Sequence, residues 1–372
     1  MITTTLLNVT TSDKGLQSPY GLLCFIGCLF LASAFLTRLA IAYAARRRLL
    51  DVPNERSSHD VPTPRGGGLS IVIVFLVGTV FLWFRSLISL EDVAALFGGG
   101  LVVAGVGFLD DHGGLKPWVR LIAHFIAAAW VLFMVGGFPP LASGLTAAGV
   151  SQNLFWLVAL VWFLNAFNFM DGIDGIAAAE GLFIAGTGAF FLFISGEEVL
   201  ATVALVIFAS TSGFLAWNLP PARIFMGDVG SGFLGLVLGA LAVMSVSSGA
   251  TNMWMWAILF GSFITDATVT IFRRIARGER PHAAHCSHAY QNAARRLGSH
   301  GRVTLAVSSI NLLWLMPLAA AAWRWPELGG LLTALAYGPL MCLALLLGAG
   351  RKDRACDGAV CSSEYAGAHR SD

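Results

Sequence analysis

Apolar stretches of membrane-spanning length recur along this chain, separated by short polar segments. Crossing the hydrocarbon core of a bilayer takes about 20 residues of helix. Because hydrocarbon offers no water to backbone N–H and C=O groups, a spanning segment has to satisfy them internally, as a helix does. Only 12% of the 372 residues are charged, about half the share found in soluble domains. The sequence therefore predicts an all-α, polytopic transmembrane helical bundle.

We expect about 10–11 spans, and the apolar stretches cover residues 20–45, 69–88, 93–109, 118–136, 153–167, 175–194, 199–217, 231–248, 253–272, 303–322 and 328–348. The first stretch is too long for the apolar part of a signal peptide and no cleavage site follows it, so we expect it to be retained. Residues 1–350 are predicted to form a single integral membrane domain, and residues 351–372 a disordered polar tail.

Basic residues are distributed unequally between the two sets of loops that these spans create. One set carries nineteen Lys and Arg residues, whereas the other carries only Lys14, Arg85 and Arg324. Cytoplasmic loops of membrane proteins are enriched in Lys and Arg, which predicts that the N-terminus is outside and the C-terminus inside. The basic loops also hold nearly all the Asp, Asn and His of the connections. We therefore expect the chemistry at the cytoplasmic face.

The first of these inner loops, residues 51–68, ends in Arg65 and three glycines, Gly66 to Gly68. Glycines allow close approach of the backbone and can expose N–H groups to an anion. Arg56, His59 and Arg65 could bind a lipid phosphate by charge-assisted hydrogen bonds. The alternative is a basic loop that only fixes the topology.

Two adjacent carboxylates, Asp110 and Asp111, follow the third apolar stretch. Like charges side by side at a membrane surface repel each other unless a cation or another partner neutralises them. The pair therefore indicates a divalent metal, a general base, or both. The alternative is a stop signal that pairs with Lys116 or Arg120.

A dense polar stripe ends the fifth apolar stretch, at Asn165, Asn168, Asp171 and Asp174. If this segment is helical, the spacing of three residues places all four side chains on one face. Helix capping would need one such residue, not four. The stripe therefore favours a functional site at the inner end of the span.

Asp228 stands among glycines immediately before another apolar stretch. An Asp at a helix N-terminus can be a plain cap, but the same geometry presents a carboxylate and N–H groups to a metal–phosphate pair. Together with the other acids, Asp228 is predicted to bind a metal.

The long basic loop from Arg273 to Arg302 contains three histidines, His282, His285 and His288. Their spacing would place them on one face of a helix, where they could contact phosphate or sugar. A zinc site and a solvated basic face are the alternatives. Asp266, within the preceding span, is either functional or an ion-pair partner of Arg273 or Arg274.

Acids, amides, glycine-rich turns and a basic loop on one membrane face fit phosphoryl transfer, in which a metal and cations position and neutralise anions. A transporter is the rival class. Transporters tend to place their sites near the bilayer midplane, within repeats, whereas here the polar residues cluster at one face and no repeat is visible. No nucleic-acid partner is expected.

In the order of these motifs, the sequence resembles the bacterial polyprenyl-phosphate N-acetylhexosamine-1-phosphate transferases. The resemblance runs from residue 51 to about residue 291. It is carried by the segments 62–68, Asp110–Asp111, 165–175, 226–231 and 285–288. The ordered set is specific, although each motif alone is modest.

The resemblance implies a Mg²⁺-dependent enzyme, with Mn²⁺ as the alternative ion, in the bacterial inner membrane with its site facing the cytoplasm. Undecaprenyl phosphate would attack the β-phosphate of a UDP-N-acetylhexosamine and release UMP. The implied metal ligands are Asp228 and Asn168, and the implied catalytic acids are Asp110, Asp111 and Asp228. Substrate-binding roles are implied for Arg65, Asn165, Asn168, Asp171, Asp174, His282, His285 and His288.

The spacing of the three histidines departs from the peptidoglycan branch of this family, which has three consecutive histidines. That departure favours the branch that initiates O-antigen or other surface polysaccharides, with the phospho-N-acetylmuramoyl-pentapeptide transferase as the alternative. The sugar stays open, as does the choice between a monomer and a homodimer.

Overall fold

A computed structural model of the protein describes residues 18–47, 50–51, 62–137, 147–280 and 285–351. It confirms the helical membrane bundle. Within these ranges, nine helices are long and apolar enough to cross a membrane, and a bent pair would make a tenth span. The predicted stretch at 69–88 forms a shorter apolar helix. The predicted tail beyond Arg351 lies outside the described residues.

The first half of the bundle comprises a two-residue antiparallel pair and the following helices: α1 (Pro19–Arg47), β1 (Leu50–Asp51), β2 (Thr63–Pro64), α2 (Leu69–Phe84), α3 (Leu90–Gly113), α4 (Pro117–Met134), α5 (Ala147–Met170) and α6 (Ile176–Ile194). The second half comprises α7 (Glu198–Asn218), α8 (Asp228–Ser247), α9 (Met253–Leu259), α10 (Gly261–Ile275), α11 (Ala289–Leu297), α12 (His300–Ile310), α13 (Met316–Arg324) and α14 (Gly329–Leu346). A π-helical segment, Asn311–Leu315, joins α12 to α13, and a 3₁₀ turn, Pro326–Leu328, precedes α14.

Helix α8 runs through the centre of the bundle, and 94% of the residues in its apolar stretch are buried. Small residues let its neighbours come close, as is usual where helices associate in lipid. A Cβ on Gly235 would lie 2.8 Å from the Cα of Leu164 in α5, and a Cβ on Gly107 of α3 would lie 2.6 Å from the backbone of Asp228. This packing fixes the first residue of α8, Asp228, against α3.

The segment after β2 pairs with the loop before α8 through backbone hydrogen bonds. Phe225 donates to the carbonyl of Pro64 at 2.8 Å, and Gly67 donates back to the carbonyl of Phe225 at 2.9 Å. A Cβ on Gly230 would lie 2.6 Å from the Cα of Gly68. The predicted close approach at the glycines is thus confirmed. Gly67 and Gly68 nevertheless donate to protein carbonyls, so the expectation that they offer N–H groups to an anion is wrong.

Helices α9 and α10 form the bent pair, which turns by 72°. Beside the bend lies Glu180 of α6, which is 1% exposed. Ser262, one residue into α10, donates to Glu180 at 2.8 Å, and Asn311, at the start of the π-helical segment, donates to its other oxygen. A single buried carboxylate therefore ties α6 to the bend and to the irregular turn of a third span.

Candidate active site

Three side chains from three different elements converge on the carboxylate of Asp228. Arg65 donates to Oδ1 at 3.1 Å, and Asn168 of α5 donates to the same oxygen at 3.0 Å. Arg120, one turn into α4, donates to Oδ2 at 3.0 Å. Because these residues are far apart in sequence, this convergence exists only in the folded bundle.

The carboxylate of Asp111 binds the backbone at the start of α8 and does not act as a second acid beside the carboxylate of Asp228. Its two oxygens accept the backbone N–H groups of Asp228 at 3.0 Å and of Val229 at 3.2 Å, and they also pair with Nε of Arg65 at 2.9 Å. Gly227 adopts a φ of 76°, and a Cβ there would lie 2.6 Å from the Asp111 carboxylate. Asp111 of α3 is therefore the N-terminal cap of α8, supplied by another helix.

Asp110 forms the other half of the adjacent pair. It accepts a hydrogen bond from the backbone N–H of Leu115 and forms an ion pair with Arg120. The partner that the stop-signal alternative named is thus present. The same Arg120 guanidinium also contacts Asp228 and lies 3.4 Å from the amide oxygen of Asn168. Asp110 therefore belongs to the group of side chains around Asp228, together with Arg65, Arg120 and Asn168. We call this group the Asp228 cluster, and Asp110 belongs to it whether its role is functional or that of a stop signal.

The predicted polar stripe divides into two parts, because α5 ends at Met170. Asn168 reaches Asp228, whereas Asn165 donates back to the carbonyl of Val161 at 2.7 Å. Asp171 follows the helix and is partly exposed. Desolvation raises the pKa of the Asp171 carboxyl well above its ordinary value, and the negative charge of Asp228 raises it further. The surroundings of Asp171 therefore favour its protonated form.

Asp171 and Asp174 both follow the end of α5, so the expectation that all four side chains share one helical face is wrong. The oxygens of Asp174 accept the N–H of Ala222 at 3.0 Å and lie 3.1 Å from Nδ1 of His300. These groups line a cavity of about 830 Å³ that Thr63, Phe225 and other residues also border. Two short segments connect residues that border the cavity to residues of the Asp228 cluster. One joins Thr63 to Arg65, and the other joins Phe225 to Asp228.

The histidine loop differs from its predicted form. His282 lies outside the described residues, as do Arg56 and His59, while His285 and His288 precede α11 instead of sharing a helical face. The two rings lie 4.9 Å apart, and the side chain of His288 is buried. Tyr290, two residues later, donates to the carbonyl of Phe169 at 3.0 Å. That contact places the loop against the end of α5, close to Asp171.

Asp266 organises this loop. It accepts the N–H groups of Ala289 and Tyr290 at 2.9 Å each and lies 3.3 Å from Nδ1 of His288. The alternative in which Asp266 pairs with Arg273 or Arg274 is not seen among the described contacts: Arg274 pairs with Glu279 at 2.8 Å, and Arg273 donates to the carbonyl of Ala349 at 2.7 Å. The intramembrane acid holds the start of α11.

Sequence reasoning underestimated Arg120, which it considered only as an ion-pair partner for the acids near it. A signal was present, since a lone arginine one turn inside an apolar helix needs a buried partner. Glu180 was missed although the same argument applied to it. The importance of Arg120 and of Glu180 becomes visible only in the folded structure, because their partners lie on other helices.

Comparison with known proteins gives a consistent result. Residues 93–246 match the family model of glycosyl transferase family 4. The chain is 30% identical over 338 residues to the decaprenyl-phosphate N-acetylglucosaminephosphotransferase of Mycobacterium tuberculosis, covering 80% of this chain and 81% of that protein. It is 29% identical over 286 residues to the probable undecaprenyl-phosphate N-acetylglucosaminyl 1-phosphate transferase of Bacillus subtilis, covering 74% and 77%.

A second activity is represented among the relatives. The phospho-N-acetylmuramoyl-pentapeptide-transferase of Streptococcus thermophilus is 31% identical over 209 residues, covering 52% of this chain and 61% of that protein. The matched family region contains Asp110, Asp111 and Asp228, together with all four residues of the polar stripe.

Proposed function

This chain belongs to glycosyl transferase family 4, and on that premise we propose that it transfers an N-acetylhexosamine 1-phosphate from a UDP-sugar to undecaprenyl phosphate. The observation that carries the proposal is the convergence of Arg65, Arg120 and Asn168 on Asp228. Two anionic substrates can meet only where their charges are offset, and this cluster combines cations with acids able to hold a divalent ion.

Mg²⁺ fits the residues of this cluster. The ion prefers oxygen ligands and is usually held by one or two carboxylates, with substrate phosphates and waters completing the shell. Among the described residues, no three His, Cys, Asp or Glu side chains are arranged to hold a metal alone. Asp228 and the amide oxygen of Asn168 would therefore hold Mg²⁺ together with the donor diphosphate. When bound, the ion would neutralise the charge that develops on the leaving phosphate.

The protein residues would position the two phosphates for an in-line displacement. An oxygen of the acceptor phosphate forms a bond to the β-phosphorus of the donor. The bond from that phosphorus to the oxygen that bridges it to the α-phosphorus breaks, and UMP leaves with the bridging oxygen. Arg65 and Arg120 each present several N–H donors, which suit phosphate oxygens. Their present contacts with Asp228 keep those donors at the reacting centre.

A dedicated general base is not required in this scheme. A phosphate monoester loses its second proton near pH 6, so the acceptor is largely ionised at neutral pH. Asp110 and Asp111 would then act by fixing Arg120 and the first turn of α8, as their hydrogen bonds indicate. Their predicted role as acids that deprotonate the lipid becomes the less favoured one.

We place the nucleotide in the cavity beside Asp174. Its volume of about 830 Å³ lies within the range of small-molecule sites. Phe225 and the basic residues Arg295, His300 and Arg302 border it, and these residue types suit aromatic stacking and charge pairing with a nucleotide. The segment from Phe225 to Asp228 would then connect the nucleotide to the diphosphate.

The donor to test first is UDP-N-acetylglucosamine, because the relatives from Mycobacterium and Bacillus are named for that sugar. We propose a role at the start of O-antigen or another surface polysaccharide, at the cytoplasmic side of the inner membrane. The muramoyl-pentapeptide donor remains the second candidate, since a relative with that name also matches. The distribution of basic loops supports an N-terminus outside and a C-terminus inside.

The test is UMP release by the purified protein with undecaprenyl phosphate and Mg²⁺, across several UDP-N-acetylhexosamines and UDP-muramoyl-pentapeptide. We expect release with one simple sugar, dependent on both the lipid and the ion, and lost on chelation. Release with the pentapeptide donor alone would assign the protein to peptidoglycan synthesis. If the folded protein releases no UMP with any of these donors, yet moves lipid across vesicle membranes, the proposal is overturned in favour of a transporter.

A further inference from the structure

A buried histidine lies next to the Asp228 cluster, and no step of the proposed reaction uses it. His124 is on α4, four residues after Arg120. Residues four apart on a helix share one face, so both side chains lie on the same side of α4. Only 7% of His124 is exposed. His124 therefore extends the polar face of α4 from the cluster into the interior of the bundle.

One ring nitrogen of His124 needs a partner. Nδ1 is buried and forms no hydrogen bond with any residue that the structure describes. Asn165 of α5 interacts with the imidazole, but this interaction does not satisfy Nδ1. Buried polar atoms in folded proteins almost always have a partner, which is either a protein group or an ordered water. The surroundings of Nδ1 therefore decide what that partner can be.

A small cavity lies between His124 and the cluster. Its volume is about 10 Å³, which is roughly the space that one water molecule requires. Its polar lining consists of His124, Arg120, Asn168 and Asp228. A buried water needs about two to four polar partners, and these side chains can supply them. Because water both donates and accepts hydrogen bonds, it can satisfy either neutral form of the imidazole.

The side chains that line this cavity are joined by one weak contact. The amide nitrogen of Asn168 donates to Asp228 at 3.0 Å and to Ser231 at 3.2 Å. Its amide oxygen lies 3.4 Å from the guanidinium of Arg120, a longer distance than an ordinary N–H···O hydrogen bond has. The direct link between Arg120 on α4 and Asn168 on α5 is therefore weak, and a bridging water would reinforce it.

We propose that His124 is a positioning residue of the Asp228 cluster. Its imidazole holds one water molecule in the small cavity, and that water links it to Asn168 and Arg120. Both side chains then keep the orientation in which they contact Asp228. The inference rests on the proposed function, because it treats the cluster as the reacting centre. His124 acts only through these side chains.

The test compares glutamine and methionine at position 124, because these two side chains have similar lengths and differ in hydrogen bonding. Glutamine keeps a donor and an acceptor for the water, whereas methionine offers only a weakly accepting sulfur. In the UMP-release assay, His124→Gln should keep kcat within about threefold of the wild type, and His124→Met should lower it about tenfold or more, as loss of an orienting partner does. The KM values for the UDP-sugar and for undecaprenyl phosphate should not change in either variant.

Thr211→Val is the matched control for the loss of a buried polar atom. The hydroxyl of Thr211 on α7 is also buried without a hydrogen-bond partner among the described residues, and Thr211 does not line the small cavity. This variant should keep the wild-type kcat. Thermal unfolding in detergent should give His124→Met a midpoint close to that of the wild type, because no protein group loses a partner. A lowered midpoint with an unchanged kcat of the folded protein would mean that His124 is only structural, and would overturn the proposal.

A second measurement does not depend on turnover. A high-resolution crystallographic or cryo-EM map of the wild-type protein should show an ordered water within hydrogen-bonding distance of Nδ1 of His124 and of Asn168 or Arg120. The map of His124→Met should lack it. A wild-type map in which the cavity is dry, or in which a protein group binds Nδ1, would overturn the assignment.

The two proposals fail separately. If the wild-type protein releases UMP and His124→Met keeps the wild-type kcat, the positioning role is wrong and the transferase stands. If no donor supports UMP release, the transferase proposal fails. The wild-type map then still decides whether His124 holds the water that links it to the cluster.

Discussion

The carboxylate of Asp111 accepts the backbone N–H of Asp228 at 3.0 Å. Asp111 therefore fixes the first residue of α8, and that residue is Asp228 itself. The first turn of a helix has N–H groups without partners inside the helix. Here a neighbouring helix satisfies two of them and also fixes Arg65. The adjacent acids therefore differ in role although they are neighbours in sequence.

Replacing Asp111 should reduce stability as well as activity. In Asp111→Ala the N–H groups of Asp228 and Val229 lose their acceptor, which costs about 1–3 kcal/mol. Asp111→Asn keeps one acceptor oxygen and should lose less. Thermal unfolding in detergent measures the difference. Equal unfolding midpoints for the wild type and Asp111→Ala would contradict the capping role.

Asp228→Asn should abolish transfer without unfolding the protein. The amide fills the same space but cannot contribute a negative charge to a metal–diphosphate complex. We expect kcat to fall by at least about a hundredfold, as when a key electrostatic group is removed. Asp92→Asn, the same change in the exposed first turn of α3, is the matched control and should keep full activity. Mg²⁺-dependent turnover retained by Asp228→Asn would refute the metal assignment.

Arg120→Lys should not be a conservative change. Arg120 contacts Asp110, Asp228 and Asn168 at once, and a lysine cannot reproduce this planar fork. Misplacement of the reacting groups by about 1 Å can reduce the rate about a hundredfold, and we expect a loss of that order in kcat/KM. The same substitution at Arg324, which is exposed at the end of α13 and does not border the cavity beside Asp174, tests the general effect of losing a guanidinium. Near-normal kinetics for Arg120→Lys would show that charge alone is needed.

The Glu180 contacts predict a stability effect far from the cluster. In Glu180→Ala, the hydroxyl of Ser262 and the amide of Asn311 lose their acceptor in the bundle interior, which costs about 1–3 kcal/mol. Glu180→Gln keeps an acceptor oxygen and should lie between the alanine variant and the wild type. Thermal unfolding of both variants checks the order. An alanine variant as stable as the wild type would mean that the bend holds without this carboxylate.

The raised pKa of Asp171 predicts how stability depends on pH in the absence of Mg²⁺. An acid whose pKa is higher in the folded than in the unfolded state binds its proton more tightly when folded. Its stabilising effect is present below its ordinary pKa and is lost as the pH rises through the raised value. Asp171→Asn has no carboxyl group to lose this stabilising effect. Its unfolding midpoint should therefore increase relative to that of the wild type as the pH rises from 4 to 8. A difference that does not vary with pH would contradict the raised pKa.

The sequence predicted the spans because apolar length is a strong constraint in a membrane. It also favoured a functional role over a plain cap for Asp228, because other acids and amides stand at the same predicted face of the membrane. The structure brings Arg65, Asp110, Asp111 and Asn168 to that residue as expected. Their catalytic and metal-binding roles stay predictions.

The errors have a common physical origin. Whether Asp174 continues the face of Asn168 depends on where α5 ends, and helix ends are poorly marked in sequence. The pairing of Asp266 with the start of α11, and the use of the N–H groups of Gly67 and Gly68 by Phe225 and Met226, depend on contacts between distant segments. Local spacing carries no information about such partners.

The contact between Gly68 and Gly230 has a consequence for changing the specificity of this protein. Side chains that border the cavity beside Asp174 can be exchanged while the backbone stays in place, so substitutions there would test the donor selectivity of the proposed transferase. At the two glycines, by contrast, even a methyl group would force the paired segments apart. Libraries aimed at new sugars should therefore vary the cavity walls and leave this junction untouched.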